Sequence, residues 1–288
     1  MSGVEFCGLR LPHPVVNGSG TFDLRSALAA FGESLLDVFP FAAYVSKTIT
    51  VNRRAGNPPP RLYETAAGLI NSIGLPGPGI DAYLEEELPL LSRLSAPLFT
   101  NVMGSDATEV GELFEKVSGR GEIAAVELNV SCPNVRTGLD IGSDPDVLLA
   151  LLREVRGLLD KPLIVKLTPN VPSVARIALA AQEGGADAVS LVNTLRAMAP
   201  HPVRRGEPWL GAGRGGQSGP AIRAVALSQV AEAAEAVDLP VIGMGGIATA
   251  SHARQFLDAG ATLVAVGTET FRDPLAARAI AEDLGDGT

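Results

Sequence analysis

PVIGMGGIATASHARQFLDAGATLVAVGT, residues 240–268, contains the repeating unit from which the fold is read. An apolar run of strand length begins at Pro240 and closes on Gly245 and Gly246. A helix starts near Thr249, and a second apolar run from Thr262 closes on Gly267 and Thr268. Apolar runs of about four to eight residues, without polar alternation, read as strands buried on both faces, as in a parallel sheet. Six more lie upstream: VVNGSG from Val15, AAYVSKT from Ala42, PLFTNVM from Pro97, AAVELNV from Ala124, LIVKLTP from Leu163 and AVSLVNT from Ala188.

Helical patterns separate the runs. Asp144-Pro145 supplies an N-cap and a proline at the first helical position, and Leu148, Leu151, Leu152, Val155, Leu158 and Leu159 fall on one face. Ile222, Val225, Ala226, Val230 and Ala233 form a second stripe, and Asp273-Pro274 repeats the start signal. Eight strands alternating with helices predict an α/β fold, the (β/α)8 TIM barrel, which typically takes about 250 residues. The 288 residues then form a single domain, 1–288. VEFCGLRLP, from Val4, reads as a short N-terminal hairpin with its turn near Gly8, covering the barrel's N-terminal mouth. Residues 194–219, rich in Gly, Pro and Arg, exceed an ordinary connection, and such lengths are usually functional.

Composition narrows the function classes. Apolar residues make up 46% of the chain, enough for a large core, yet no block reaches the roughly 18 residues of a membrane span. The first residues lack the basic and apolar regions of a signal peptide, so a cytoplasmic protein without membrane contact is expected. A net charge of −9 sets the chain apart from nucleic-acid binders, which carry a basic footprint. Cys7 and Cys132 are too few for a disulfide framework. His13, His201 and His252 stand isolated, so no metal site is expected, and any iron–sulfur cluster must sit on another chain.

In a barrel of this kind the active site forms at the C-terminal ends of the strands, so polar residues that end an apolar run are the candidates. They are Ser19, Lys47, Asn101, Asn129 with Cys132, Lys166, Asn193 with Thr194, Gly245 with Gly246, and Gly267 with Thr268. Glycine after the last two strands lets backbone N–H groups approach a phosphate, and helices starting at Thr249 and Asp273 aim a positive dipole end at it. Tight-turn geometry accounts for the same glycines equally well. Lys47 and Lys166 are costly to bury without an anion, which predicts anionic ligands; a carboxylate partner is the alternative for either one. Cys132 lies in ELNVSCPNVRTG, just past a strand. A free thiol, of pKa about 8.5, serves as a base only in polar surroundings, such as Asn129, Ser131 and Asn134 supply. Pro133, Gly138 and Gly142 suit a lid over the site, and Cys7 reads as an inert buried thiol.

Ten strings carry a family likeness: GSGTF at Gly18, SKTIT at Ser46, GNPPPRLYET at Gly56, GLINSIGLPGPG at Gly68, ELNVSCPN at Glu127, VKLTPN at Val165, VNT at Val192, GGQSGPAI at Gly215, GMGGI at Gly243 and VGT at Val266. In this order and spacing they resemble the dihydroorotate dehydrogenases over nearly the whole chain. The resemblance implies FMN at the barrel mouth, held by Ser19, Lys47, Thr48, Asn101, Asn129, Lys166, Val192, Gly219, Gly245, Gly246, Gly267 and Thr268. It places dihydroorotate against Lys47, Asn71, Ser72, Ile73, Gly74, Leu75, Asn129, Asn134, Asn193 and Thr194, whose amides suit the imide and amide edges of a pyrimidine. It makes Cys132 the base that removes the C5 proton while hydride passes from C6 to the flavin, giving orotate for UMP synthesis, with Lys166 at the flavin N1 edge.

A cysteine base belongs to the class 1 branch of that family. GNPPPRLYET and GGQSGPAI are most similar to class 1B, the NAD-linked subtype, whose second subunit carries FAD and a 2Fe-2S cluster; a homodimeric core is expected too. The chain departs from the family at Gly18, at Asp23 and Leu24, at Gly77-Pro78 and in the arginine-rich RAMAPHPVRRGEPWLGAGRG. These positions touch the first-strand loop and the partner-facing rim. A fumarate-linked class 1A enzyme, a dihydropyrimidine dehydrogenase acting on dihydrouracil, and a phosphate-binding barrel without redox activity or a flavin-binding subunit that has lost catalysis stand as alternatives.

Overall fold

Each of the eight apolar runs contains a strand, and all eight pair in parallel. The computed structural model describes residues 3–131 and 141–286. In it the barrel strands are β1 (Val15–Asn17), β2 (Tyr44–Val45), β3 (Leu98–Val102), β4 (Ile123–Asn129), β5 (Leu163–Lys166), β6 (Ala188–Leu191), β7 (Val241–Met244) and β8 (Leu263–Val266). Their spatial order is β1, β8, β7, β6, β5, β4, β3, β2, which brings β1 back beside β2. No regular ladder closes that seam. Ala42 N–H donates to the Val15 carbonyl at 2.9 Å, and the buried Asn17 side chain both donates to the Val45 carbonyl and accepts from Val45 N–H, each at 2.8 Å. The predicted (β/α)8 barrel is therefore the architecture.

The helices begin where the caps stand. Asp144 accepts from the backbone N–H groups of Asp146 and Val147, opening the helix Pro145–Val155, and Thr249 accepts from His252 N–H to open Ala250–Asp258. After β8 the expectation needs correction. The helix next to the strand end is the single turn Glu269–Arg272, which follows Thr268 without a side-chain cap, and Asp273 instead precedes the later helix Ala276–Asp286. Two residues of the predicted stripes also fall elsewhere. Leu158 is 40% exposed because the helix tightens into a 3-10 turn at Arg156, which swings Leu159 inward instead. Val225 is 42% exposed because Ala226, Val230 and Ala233 take the inner face of Arg223–Ala236, and Val225 sits about 100° around from Ala226.

Strand alternation divides the core into two shells. Outward residues such as Leu163, Val165, Val189 and Val264 pack under the helices. Inward residues Val16, Phe99, Ala125, Ile164, Ala188, Ile242 and Ala265 fill the barrel. The predicted hairpin, Val4–Phe6 paired with Leu9–Leu11, plugs the lower end, where Phe6 stacks on Phe99 with centroids 5.9 Å apart. Residues 194–219 are not simply a loop. Leu195–Ala197 and Gly215–Ser218 join Gly68–Asn71 and Leu62–Thr65 in a four-stranded antiparallel sheet over the C-terminal mouth. Ile70, Ala199 and Leu210 are buried within it. No helix among the described residues is long and apolar enough to cross a membrane.

Asn17→Ala should open the seam, leaving the Val45 N–H and C=O buried without partners. The expected loss is about 2–4 kcal/mol, read as a fall in the thermal midpoint of roughly 3–7 °C. An unchanged midpoint would show that the seam is held by other contacts.

Candidate active site

A polar layer sits directly above the apolar filling of the barrel, because side chains two apart on a strand share a face. Phe99 is followed inward by Asn101, Ala125 by Glu127 and Asn129, Ile164 by Lys166, and Ala188 by Ser190. Glu127, 1% exposed, collects this layer. One carboxylate oxygen accepts from Asn101 Nδ2 and lies 3.6 Å from Lys166 Nζ; the other accepts from Ser190 Oγ at 3.0 Å.

Above this layer, under the antiparallel sheet, lies a cleft of about 340 Å³. Ser19, Lys47, Thr48, Asn71, Ile73, Gly74, Leu75, Asn129, Lys166, Val192, Asn193, Thr194, Gly219, Gly245, Gly246, Gly267 and Thr268 all line it. Two predicted residues do not. Ser72 is buried with its hydroxyl accepting from Asn57 Nδ2, because alternation along the strand sends it away from Asn71 and Ile73. Asn101 lies one layer deeper, its amide nitrogen committed to Glu127 and its Oδ1 buried without a partner. Cys132 and Asn134 lie outside the described residues, as do Pro133 and Gly138. Gly142 does not fit the lid expectation: it is buried, and a Cβ there would stand 1.9 Å from the Val130 carbonyl oxygen.

Hydrogen bonds fix the amides of the cleft. Asn129 donates to Thr48 Oγ1 at 3.3 Å and accepts from the Ser131 hydroxyl and N–H. Asn193 donates to Ser131 Oγ at 2.9 Å and accepts from Thr194 N–H. Ser131 thus ties the end of β4 to the end of β6. Asn71 donates to the Gly216 carbonyl, and Ser19 Oγ donates to the Ser46 carbonyl.

The two lysines differ, and neither is the isolated buried cation expected. Lys166 is buried with Glu127 beside it, the carboxylate-partner alternative. Lys47 is exposed, yet the protein crowding its ammonium lowers its pKa by desolvation; Asp23 and Glu87 oppose that shift, and Arg61 adds to it. The Gly77-Pro78 departure lines a second cavity that shares Lys47 with Arg53, Arg54 and Glu86. Cys7 is half-buried at the hairpin turn, where burial and the Asp187 carboxylate push its thiol up to about 12, so it stays protonated.

Several site residues escaped the strand-end rule. Glu127 and Ser190 stand inside strands, and only the alternation from Ala125 and Ala188 marks them as inward. Leu62 and Phe271, 52% and 61% exposed, line the cleft mouth, and no sequence signal singles them out. Among the described residues, no group of three His, Cys, Asp or Glu side chains could hold a metal ion.

A closed barrel whose strand ends gather an ammonium, several fixed amides and a glycine rim around one roofed cleft has the architecture of a C-terminal-face enzyme site. Residues 1–287 match the family described as Dihydroorotate dehydrogenase, and the chain belongs to that family of oxidoreductases. It is 45% identical over 282 residues to the dihydroorotate dehydrogenase B (NAD(+)) catalytic subunit of Geotalea uraniireducens (strain Rf4), covering 98% of this chain and 91% of that protein. The subunit of the same name from Desulforudis audaxviator (strain MP104C) is 45% identical over 284 residues, covering 98% and 91%. In fold it is similar to the Eimeria tenella enzyme solved with ferulenol, with a TM-score of 0.81, 23% identity and coverage of 98% of this chain and 83% of that one.

The glycine rim separates into two kinds. Gly245 has φ +140, and a Cβ there would stand 2.4 Å from the Ala226 Cβ, so the chain itself requires glycine. Gly267 has no positive φ, and a Cβ would meet only Thr21 at an ordinary 3.6 Å. Gly245→Ala should destabilise the ligand-free chain by about 2 kcal/mol or more, whereas Gly267→Ala should change it by less than about 1 kcal/mol. Thermal unfolding of the two variants checks this, and equal losses would overturn the distinction.

Proposed function

We propose that the chain catalyses the FMN-dependent oxidation of (S)-dihydroorotate to orotate, a step of pyrimidine biosynthesis. The observation that carries the reading is the single roofed cleft in which Lys47, Asn71, Ile73, Gly74, Leu75, Asn129, Asn193 and Thr194 meet Lys166, Val192 and the glycine rim. Three features support FMN there. Gly267 opens onto the cleft without being required by the chain's own packing, which suits close approach of a phosphate. Lys166 offers a buried ammonium, and the unpartnered Oδ1 of Asn101 lies just below.

FMN, when bound, supplies the hydride acceptor. The protein's own contribution is placement and charge. Lys47, at the cleft edge, pairs with the carboxylate of the substrate, and the amides of Asn71, Asn129 and Asn193 meet its ring edges. Cys132 is the base that takes the C5 proton, an assignment that rests on the NVSCPN motif. Lys166 holds a fixed positive charge against the cleft floor. The antiparallel sheet limits water above these groups, which strengthens each interaction below it. The two relatives' designation as catalytic subunits, with the scarcity of cysteine here, supports onward electron transfer to NAD through a separate subunit carrying FAD and a 2Fe-2S cluster. A homodimeric core completes the proposal.

Purified protein is expected to be yellow, and anaerobic dihydroorotate, but not dihydrouracil, should bleach it. Cys132→Ala should slow bleaching by about 100-fold or more. Protein that takes up no FMN, or that prefers dihydrouracil, would sink the reading. Turnover of fumarate by this chain alone would replace the NAD-linked partner with the fumarate-linked alternative.

The lowered pKa of Lys47 gives a second test. Its ammonium holds an anion only while protonated, and desolvation moves its pKa down from the ordinary 10.5. The alkaline fall in kcat/KM for dihydroorotate should therefore begin at lower pH than an unperturbed lysine dictates. Lys47→Arg, which stays charged, should remove that limb; an identical profile would discount Lys47 as the anion partner.

A further inference from the structure

Glu127 has no role in the reaction as assigned above, yet the polar layer converges on it. The carboxylate is buried and does not line the cleft, and both its oxygens are committed inside the chain, to Asn101 and Lys166 on one side and Ser190 on the other. Lys166, its ion-pair partner, does line the cleft. Asn101 cannot turn over, since its Oδ1 would then face the carboxylate; the cost is that Oδ1 stays without a donor. Packing alone does not call for this arrangement, because apolar residues of similar volume commonly stabilise a core as well as a buried ion pair or better. A carboxylate with three polar neighbours is instead suited to holding a negative charge at one fixed place.

We propose that Glu127 is a positioning residue that anchors the Lys166 ammonium at the cleft floor and offsets part of its field. It thereby sets how strongly the cleft favours negative charge on the group bound above. The inference rests on the flavin reading and deepens it: Lys166 stabilises the reduced cofactor, and Glu127 limits that stabilisation and keeps it constant. The two electrons and the proton of the reaction are unchanged by it.

The two-electron reduction potential of bound FMN, measured by dye equilibration at one fixed pH for all variants, tests this. Glu127→Gln keeps the size and removes the charge, so the potential should move positive. A tenfold change in the reduction equilibrium, about 30 mV for two electrons, is the expected order. Glu127→Asp keeps the charge and should stay near wild type. If Glu127 merely fills space, the order reverses, with the isosteric Gln silent and the shorter Asp disturbed; that result, or no shift in either variant, overturns the proposal.

A second measurement needs no cofactor. In 15N-lysine spectra of the ligand-free chain, the Lys166 ammonium signal, assigned by its loss in Lys166→Arg, should be protected in wild type and lost in Glu127→Gln. An unchanged signal overturns the anchoring role. Wild-type protein that binds no FMN defeats the flavin reading separately, and the lysine spectra then decide Glu127 alone.

Discussion

A closed barrel sends alternate side chains of every strand into one axial space that water barely reaches, and what may stand there is tightly limited. Apolar residues fill the lower part: Phe6 and Leu11 from the hairpin, then Phe99, Ala125, Ile164, Ala188 and Ile242. One step toward the C-terminal mouth the same alternation delivers Asn101, Glu127, Lys166 and Ser190. A charge at that depth carries a desolvation penalty of several kcal/mol unless it is paired and hydrogen-bonded. Glu127 and Lys166 satisfy that condition for each other. The cleft floor therefore carries an ammonium held in one place, and the groups above it are arranged around a fixed point.

That pairing separates the two lysines by role. Lys166 has its counter-ion within the chain, so its charge belongs to the scaffold. Lys47 stands at the cleft edge with Asp23 and Glu87 acting on it only electrostatically, and with Arg61 opposing them. A cation that lacks a committed partner is the better one to exchange water for a passing carboxylate. A cation already matched is better placed to bias charge on something that remains bound. Two residues that look alike at strand ends in the sequence thus differ through a glutamate that lies inside a neighbouring strand.

Much of the fold was legible because it depends on local chemistry. Eight apolar runs became eight strands, Asp144 and Thr249 capped the helices they precede, and Gly8 turned the hairpin with Cys7 beside it. Less legible were features set by long-range pairing. The sheet over the mouth uses strands of three or four residues, one of them the glycine-rich GGQS, and its partners lie about 150 residues apart in the chain. Leu158 and Val225 show the same limit on a smaller scale: composition put them on an apolar stripe, but the point where a helix tightens or the direction it faces is decided by its neighbours. Most of the residues singled out line one cleft because strand ends are fixed once strands are. Glu127 was missed because a strand-end rule discards residues that stand inside a strand.

The glycines carry a sharper lesson about inferring ligands from sequence. Gly245 and Gly246 both have positive φ, and Cβ atoms there would strike Ala226 and the Gly219 carbonyl. Their presence follows from how β7 leaves the barrel and would be required with no phosphate at all. Gly267 differs, since neither its backbone conformation nor its packing excludes a side chain. Only a glycine that the chain does not need for itself testifies to something outside the chain. On that criterion the end of β8, where Gly267 and Thr268 precede a single helical turn, is the part of the rim whose glycine the chain's own packing does not require, and the β7 glycines shape the wall beside it.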